Sequence, residues 1–269
     1  MPELPEVETV RRSLLCVRGH RIEAVEVVEP RLRRPIAPDL GGRLVGRSIE
    51  DIQRQGKYLL FGLSDGTWLL AHLGMSGSLV LQPRGAPAQP HDHVRLHLSH
   101  GLQLTYNDPR RFGLLRTGRL DELGELRNVG PDPLSPAFSL DDLRALARKR
   151  KKPVKNLLMD QRGLGGIGNI YANEILFRAR IRPGRQAGRL TRREVARLLA
   201  ATRAILESAI RLGGSSISDY RDGAGRPGYF QLRLQVYERA GEPCRRCGIR
   251  IKRTVHAGRS SFYCPSCQR

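Results

Sequence analysis

The residues best placed to do chemistry open the chain: Met1-Pro2-Glu3-Leu4-Pro5-Glu6. A small second residue such as Pro2 lets the initiator methionine be removed, which leaves a free secondary amine. A free α-amino group titrates near ~7.7 to 8.0 against ~10.4 for lysine, so at neutral pH far more of it is unprotonated and able to attack carbon. Attack by a proline nitrogen on a carbon such as a sugar C1′ gives an iminium with no N–H to lose, and the product persists as a cationic electron sink. Glu3 is a carboxylate beside it for giving and taking protons, and Glu6 lies about one helical turn further on. The same residues also describe an ordinary helix start, since proline and acidic side chains suit the orphan N–H groups and positive dipole end. The hexapeptide alone leaves both readings open.

The most specific spacing lies at the other end, Cys244-x2-Cys247-x16-Cys264-x2-Cys267. Two Cys-x-x-Cys knuckles supply four thiolates, the donor set of a closed structural zinc site, with no open position for catalysis. Cys16 stands apart and reads as a small packing residue. Between the knuckles, Ile249 to Thr254 and Ser260 to Tyr263 read as hairpin strands with His256-Ala257-Gly258-Arg259 at the tip. Arg259 would then project from a rigid finger, as a phosphate clamp or as a solvated cation.

Gly163-Leu164-Gly165-Gly166-Ile167-Gly168 matches G-x-G-x-x-G literally, but helical patterns flank it on both sides and no strand precedes it. A tight turn between helices fits better, with Asn169 at the second helix's N-terminus and backbone N–H groups free for a phosphate; a purely structural turn is equally compatible. His91-Asp92-His93, with His97 and His100, has the composition of a metal cluster, yet the alternation of Val94, Leu96 and Leu98 places His93 and His97 on the polar face of a strand. Asp108-Pro109-Arg110-Arg111-Phe112-Gly113 is a turn able to offer an arginine to an unpaired base and an aromatic wedge to the stack, and by itself it is equally an ordinary loop.

These residues need positioning elements, and the periodicities supply them. Val7, Val10 and Leu14 mark one amphipathic helix from Glu3 to Val17. From Arg21 to about Thr117 short alternating segments follow, among them Val25 to Val27, Lys57 to Leu63, Thr67 to Leu73, His93 to Leu98 and Leu102 to Tyr106, with hairpin signals at Ser64-Asp65-Gly66 and Ser99-His100-Gly101. The pattern predicts an antiparallel β-sandwich or barrel over 1–120. Gly124, Gly130, Pro131, Pro133 and Pro136 then break every periodicity, which predicts a linker over 121–138. Helices are predicted over 139–240: one capped by Ser139 and Asp142 that runs into the basic cluster Arg148 to Lys152, one from Pro153 to Asp160, one from Asn169 to Arg178, and one capped by Thr191 and Glu194. The last carries the apolar stripe Val195, Leu198, Leu199, Thr202, Ile205, Leu206, Ala209 and Ile210. Ser215 to Gly228 reads as a mobile loop before a strand from Tyr229 to Tyr237, and 241–269 as the zinc finger. The fold class expected is α+β.

Composition narrows the partner. Among 269 residues, 47 are basic and 26 acidic, a net charge of +21, and the only lysines are Lys57, Lys149, Lys151, Lys152, Lys155 and Lys252. A chain of this charge calls for a polyanion, and the guanidinium fork suits phosphates and guanine edges, although genome base composition could produce the same arginine bias. Neither a secretory signal pattern nor a membrane-length apolar run occurs, so a cytoplasmic monomer with no membrane partner is expected.

Met1 to Thr9, Lys57 to Leu60, His72 to Gly77, Asp108 to Gly113, Gly166 to Ala172 and the terminal finger occur together in the order found in one family. Over its full length the chain closely resembles bacterial formamidopyrimidine-DNA glycosylases. The resemblance implies a bifunctional enzyme that excises oxidised purines (8-oxoguanine and formamidopyrimidines) from double-stranded DNA and cleaves the strand by β,δ-elimination in base excision repair, with one structural zinc ion. It implies Pro2 as nucleophile, Glu3 as acid and proton shuttle, Lys57 as the phosphate-contacting aid to β-elimination, and Arg259 as the finger arginine of δ-elimination. Met75, Arg110 and Phe112 match the residues that fill the space of a flipped base, Arg110 facing the orphaned cytosine. Asn169, His91 and Arg150 match further DNA contacts, although lysine is common at the last, and Ser215 to Gly228 matches the loop that closes over the lesion. Two alternatives remain. Endonuclease VIII-type enzymes share the proline and finger but favour oxidised pyrimidines, typically carry glycine where Leu4 stands, and lack Val7-Glu8-Thr9; a non-catalytic nucleic-acid-binding zinc protein would satisfy charge and finger alone.

Overall fold

A computed structural model of the chain describes residues 2–216 and 220–269. Two compact units emerge, one of Met1–Arg127 with Leu212–Gln231, the other of Asn128–Arg211 with Leu232–Arg269.

The first unit begins with α1 (Leu4–Ser13), a single 3-10 turn over Leu15–Val17, β1 (Ile22–Val27) and the short α2 (Leu40–Leu44). Strands β2 (Ile49–Gln55), β3 (Tyr58–Leu63), β4 (Trp68–His72), β5 (Ser78–Pro83), β6 (Asp92–Leu98), β7 (Leu102–Asn107) and β8 (Leu114–Gly118) follow. They pair antiparallel in two four-stranded sheets, ordered β1-β6-β7-β5 and β2-β3-β4-β8. Their inner faces meet in a core that includes Leu59, Phe61, Leu63 and Leu69 from one sheet and Leu79, Val94, Leu96 and Leu104 from the other, joined by Val7, Val10 and Leu14 of α1. Strand β3 is apolar on both faces, because Leu60, with Leu70 and Leu114, packs on a second cluster that Leu123 and Leu126 complete. That double burial explains the unbroken run Tyr58-Leu59-Leu60-Phe61.

Two details of α1 differ from the sequence expectation. The helix stops at Ser13, and the chain tightens into the 3-10 turn, where the Val17 N–H bonds to the Leu14 carbonyl at 3.1 Å. The change of pitch buries Val17 and leaves Cys16 exposed, so Cys16 is not a packing residue.

The second unit holds α3 (Leu140–Ala147), α4 (Val154–Met159), α5 (Asn169–Ala179), α6 (Arg192–Arg211), β9 (Lys252–His256) and β10 (Arg259–Tyr263). Both anticipated capping boxes form: the Ser139 hydroxyl accepts the Asp142 N–H while Asp142 accepts the Ser139 N–H, and Thr191 and Glu194 do the same. The α6 stripe is buried except at Ile205, which is half-buried. Helix α3 ends at Ala147, so Arg148 to Lys152 lies outside it, with Lys149 in the left-handed region at φ 57°.

The expected strand from Tyr229 to Tyr237 does not form; a 3-10 turn occupies Phe230–Arg233. The Glu174 carboxylate of α5, 1% exposed, accepts the N–H groups of Gln235, Val236 and Tyr237 at 2.9, 3.0 and 2.9 Å. Amides held by one carboxylate are not available for a β-ladder. The expected loop over Ser215 to Gly228 includes residues 217–219, which lie outside the described residues.

Candidate active site and nucleic-acid interface

Pro2 is buried, and Glu3 and Glu6 are 2% and 1% exposed. Glu6 works in two directions: one carboxylate oxygen accepts the Glu3 N–H at 2.8 Å and the other accepts the Ser215 N–H at 2.7 Å, while its carbonyl accepts the Tyr220 hydroxyl at 3.1 Å. The start of α1 is therefore tied to both described flanks of the 215–228 segment. Gly223 adds a third tie, its N–H donating to the Ser13 hydroxyl at 2.9 Å.

One turn along α1, Glu8 gathers three arginines. Its oxygens accept from Arg11 at 2.9 and 3.0 Å, from Arg12 at 2.8 Å and from Arg54 of β2 at 3.1 Å. Burial alone would raise this carboxyl, but hydrogen bonds from Arg11 and Arg12 and the charges of Arg54 and Arg11 hold it down to about 2. Arg54 also donates to the Gly56 carbonyl at 3.3 Å. The turn that presents Lys57, itself 9% exposed, thus shares an ion cluster with α1.

His72, at the end of β4, packs its ring 4.9 Å from that of Tyr58 and accepts the Gly74 N–H on Nδ1 at 3.0 Å. Burial, then the charges of Arg33 and Lys57, push it down to about 4, so at neutral pH it is an uncharged ring with its proton on Nε2. The sequence reading assigned His72 no role; its signal was its place on the motif between β4 and Met75.

Met75 is half-buried, while Arg110 and Phe112 are exposed and stacked together, the guanidinium carbon 5.0 Å from the ring centroid. His91 is also exposed, and its carbonyl accepts the Asp108 N–H at 3.1 Å. His93, expected on the polar face, is fully buried, with Nδ1 2.8 Å from the Glu29 carbonyl and Nε2 3.0 Å from that of Asp108. The β6–β7 register shifts between Asp92 and Val94, so the alternation of β6 does not extend back to His93.

In the second unit the glycine-rich turn joins α4 to α5. Gln161 braces it, accepting the Gly166 N–H at 2.9 Å and donating to the carbonyls of Met159 and Ile167 at 2.9 and 2.7 Å. Asn169 opens α5, and its buried Oδ1 has no hydrogen-bond partner among the described residues. Arg150 is exposed on the segment after α3, where its carbonyl accepts the Gly188 N–H at 2.9 Å.

The finger hairpin pairs His256 with Arg259, which leaves Ala257 and Gly258 as a two-residue turn at φ 48° and 72°. Arg259 is therefore the first residue of β10 rather than part of a four-residue tip, and it is exposed. Two buried side chains hold β10. Asn173 of α5 accepts the Phe262 N–H at 2.7 Å, and the Lys155 ammonium of α4 donates to the Ser260 carbonyl at 2.5 Å and the Ser261 hydroxyl at 2.8 Å. The sequence reading missed both; one of few lysines in an arginine-rich chain was the available signal.

The four cysteine sulfurs lie within 4.8 Å of one another, the compass of a tetrahedron with ~2.3 Å metal–sulfur bonds. Burial, then the neighbouring thiols, push Cys267 up to about 12, a penalty that a central dication reverses. The donor set fits one structural zinc ion, and among the described residues no other group of metal-ligating side chains converges. No helix of the described residues is long and apolar enough to cross a membrane.

An antiparallel sandwich with an acid-flanked proline at its start, a helical unit with a four-cysteine finger, and a +21 charge define a zinc-containing protein that works on DNA. Residues 1–115 match the formamidopyrimidine-DNA glycosylase N-terminal domain, 129–221 the H2TH domain of the same glycosylases, and 241–269 the zinc finger found in FPG and IleRS. The chain belongs to the formamidopyrimidine-DNA glycosylase family. It is 49% identical over 271 residues to the formamidopyrimidine-DNA glycosylase of Thiobacillus denitrificans and 46% identical over 272 residues to that of Laribacter hongkongensis, each alignment covering 100% of both chains. Among solved structures it is similar to the MutM (FPG) protein of Thermus thermophilus, with 45% identity, a TM-score of 0.88 and coverage of 99% of this chain and 98% of that one. It is also similar to a Lactococcus lactis FPG mutant in complex with Fapy-dG containing DNA, with 37% identity, a TM-score of 0.91 and full coverage of both chains.

Proposed function

We propose that the chain excises oxidised purines from duplex DNA and cleaves the resulting abasic strand, with Pro2 as the nucleophile, as a step of base excision repair. The observation that carries this reading is the start of α1. The Glu3–Glu6 capping box is what an ordinary helix start makes, but a solvent-facing start has no reason to bury both carboxylates or to hold the Ser215 amide, 209 residues on, with the second Glu6 oxygen. A charged side chain is buried at such cost only with partners and usually with a task. Full-length kinship with formamidopyrimidine-DNA glycosylases, one of them seen with Fapy-dG containing DNA, supplies the lesion class.

Once Met1 is removed, the Pro2 nitrogen has a lone pair to give. It attacks C1′ and the C1′–base bond breaks; the proton that the attacking nitrogen gives up passes to the departing base, which leaves neutral. Glu3 delivers a proton to O4′ as the sugar ring opens, leaving a C1′=N⁺ iminium. Loss of a C2′ proton expels the 3′ phosphate, loss of a C4′ proton expels the 5′ phosphate, and water then hydrolyses the imine to free Pro2. Lys57 binds phosphate and assists the first elimination, and Arg259 assists the second. Met75, Arg110 and Phe112 fill the space left by the flipped nucleotide, with Arg110 facing the orphaned cytosine; Asn169, His91 and Arg150 hold phosphates. Zinc, when bound, cross-links Cys244, Cys247, Cys264 and Cys267 and takes no part in the chemistry. On this reading the enzyme works in the cytoplasm, on the DNA of the nucleoid.

Borohydride reduction traps an iminium. A duplex with 8-oxoguanine opposite cytosine is expected to give an adduct on Pro2, more strongly than one with an oxidised thymine. An adduct mainly on the pyrimidine would assign the other lesion class, and none on either, with Met1 removed and DNA bound, would refute the proline chemistry.

A further inference from the structure

The three residues assigned to fill the vacated stack come from two loops. Met75 lies in the turn between β4 and β5, and Arg110 and Phe112 lie in the loop between β7 and β8. These loops are joined through the Ser76 hydroxyl. It donates to Asp108 Oδ1 at 2.7 Å and accepts the Arg110 N–H at 3.2 Å, so one side chain of the Met75 turn makes two bonds to the arginine loop. Asp108 is fully buried, and its other oxygen accepts the Gly113 N–H at 2.8 Å. The backbones also touch: a Cβ on Gly74, which stands at φ +60°, would come within 2.5 Å of the Phe112 carbonyl carbon. A substituent there forces the loops apart.

We infer that Ser76 is a positioning residue for recognition of the orphaned base: its hydroxyl latches the two loops so that Met75, Arg110 and Phe112 enter the helix as one preassembled wedge. This rests on the reading that those three residues fill the void. Preorganisation is the physical reason for the latch, since two loops that order separately each lose conformational freedom at insertion, whereas a latched pair loses it once, on folding. The Ser76 hydroxyl is engaged by the arginine loop. Its effect therefore falls on insertion and on discrimination of the opposite base, and the chemistry at Pro2 is untouched.

The test uses the full-length, zinc-loaded protein with Met1 removed, as wild type, Ser76→Ala, Ser76→Thr and Arg110→Ala. Single-turnover excision of 8-oxoguanine is measured opposite cytosine and opposite adenine, with 2-aminopurine beside the lesion to report opening of the stack. Borohydride trapping on a single-stranded abasic oligonucleotide, which has no opposite strand and no void, reads Pro2 alone. Ser76→Ala is expected to slow insertion and to lower the cytosine-over-adenine preference by roughly tenfold, the scale of a lost hydrogen bond to a charged group. Ser76→Thr restores both, and single-strand trapping stays at the wild-type value in each; because the latch is already made in the folded chain, Ser76→Ala also lowers the melting temperature, and Ser76→Thr restores it. Wild-type insertion and preference in Ser76→Ala, while Arg110→Ala loses them, would overturn the latch alone. Unchanged preference in Arg110→Ala as well would overturn the void-filling reading beneath it. Loss of single-strand trapping in Ser76→Ala, not restored by threonine, would make the residue merely structural.

Discussion

The carboxylate of Glu8 offers the sharpest test of the electrostatics behind the site. It is 9% exposed, and Arg11, Arg12 and Arg54 reach it at 2.9, 2.8 and 3.1 Å. Burial works against its charge and the arginines outweigh it, holding the group at about 2 against its ordinary 4.5. That difference bounds its contribution to stability at roughly 3 kcal/mol, and solvent screening around the exposed Arg12 brings the expectation to about 2 kcal/mol. The sign follows from where the protons go. Above pH 4.5 the carboxyl is ionised in both folded and unfolded chains, and the contribution is complete. As pH falls from 4.5 towards 2 the unfolded chain takes up a proton that the folded one resists, and the contribution is lost. Glu8→Gln keeps the shape and the acceptor oxygen but not the charge. It is expected to lower stability by about 2 kcal/mol at pH 7, with more than half of that gap gone by pH 3.

Urea unfolding of wild type and variant, followed by tryptophan fluorescence, measures the gap. The chain has a single tryptophan, Trp68 on β4, so the signal reports the first unit and is insensitive to acid release of metal from the finger in the second. A gap that is the same at pH 7 and pH 3 would refute the argument, because the loss would then come from packing and not from charge.

Removal of zinc is expected to release one ion per chain and to unfold the finger, since binding energies of structural sites, ~10 to 16 kcal/mol, far exceed what the small cluster of Phe177, Val236, Ile251 and Phe262 supplies. Metal analysis after mild chelation checks the count, and the far-UV spectrum of Cys247→Ser checks the folding. His72 is expected to remain neutral well below the usual histidine range: its ring signals in a proton NMR titration should keep their neutral positions from pH 7 to pH 5 and move only towards pH 4. Because its folded value lies below 6.5, stability is lost as pH falls from 6.5 through 4, and His72→Asn should flatten that part of the stability profile.

What was legible in the sequence was what local chemistry determines. Capping at Ser139 and Thr191, the α6 stripe, the alternating strands and the two cysteine knuckles each depend on residues a few positions apart. The expectations that failed were overruled from a distance. Tyr229 to Tyr237 has the aromatic and β-branched content of a strand, but Glu174, 61 to 63 residues away, takes its amides. His93 has the right parity for solvent, but a bulge and the carbonyls of Glu29 and Asp108 draw it inside. Lys155, assigned no role from the sequence, is likewise buried beneath β10, 105 residues on. In each case a buried polar group meets its partner across the fold, and no windowed pattern carries that information. The candidate site divides along the same line. Pro2, Glu3, Arg110 and Arg259 were singled out by type and position, and Lys57 by the resemblance alone, whereas Glu8, Ser76 and Asn173 drew no role from the sequence and are seen in the fold to hold other groups. Candidate reactive groups can be nominated from type and spacing, but the groups that hold them in place need the fold, so variants of the second set are the ones that separate positioning from chemistry.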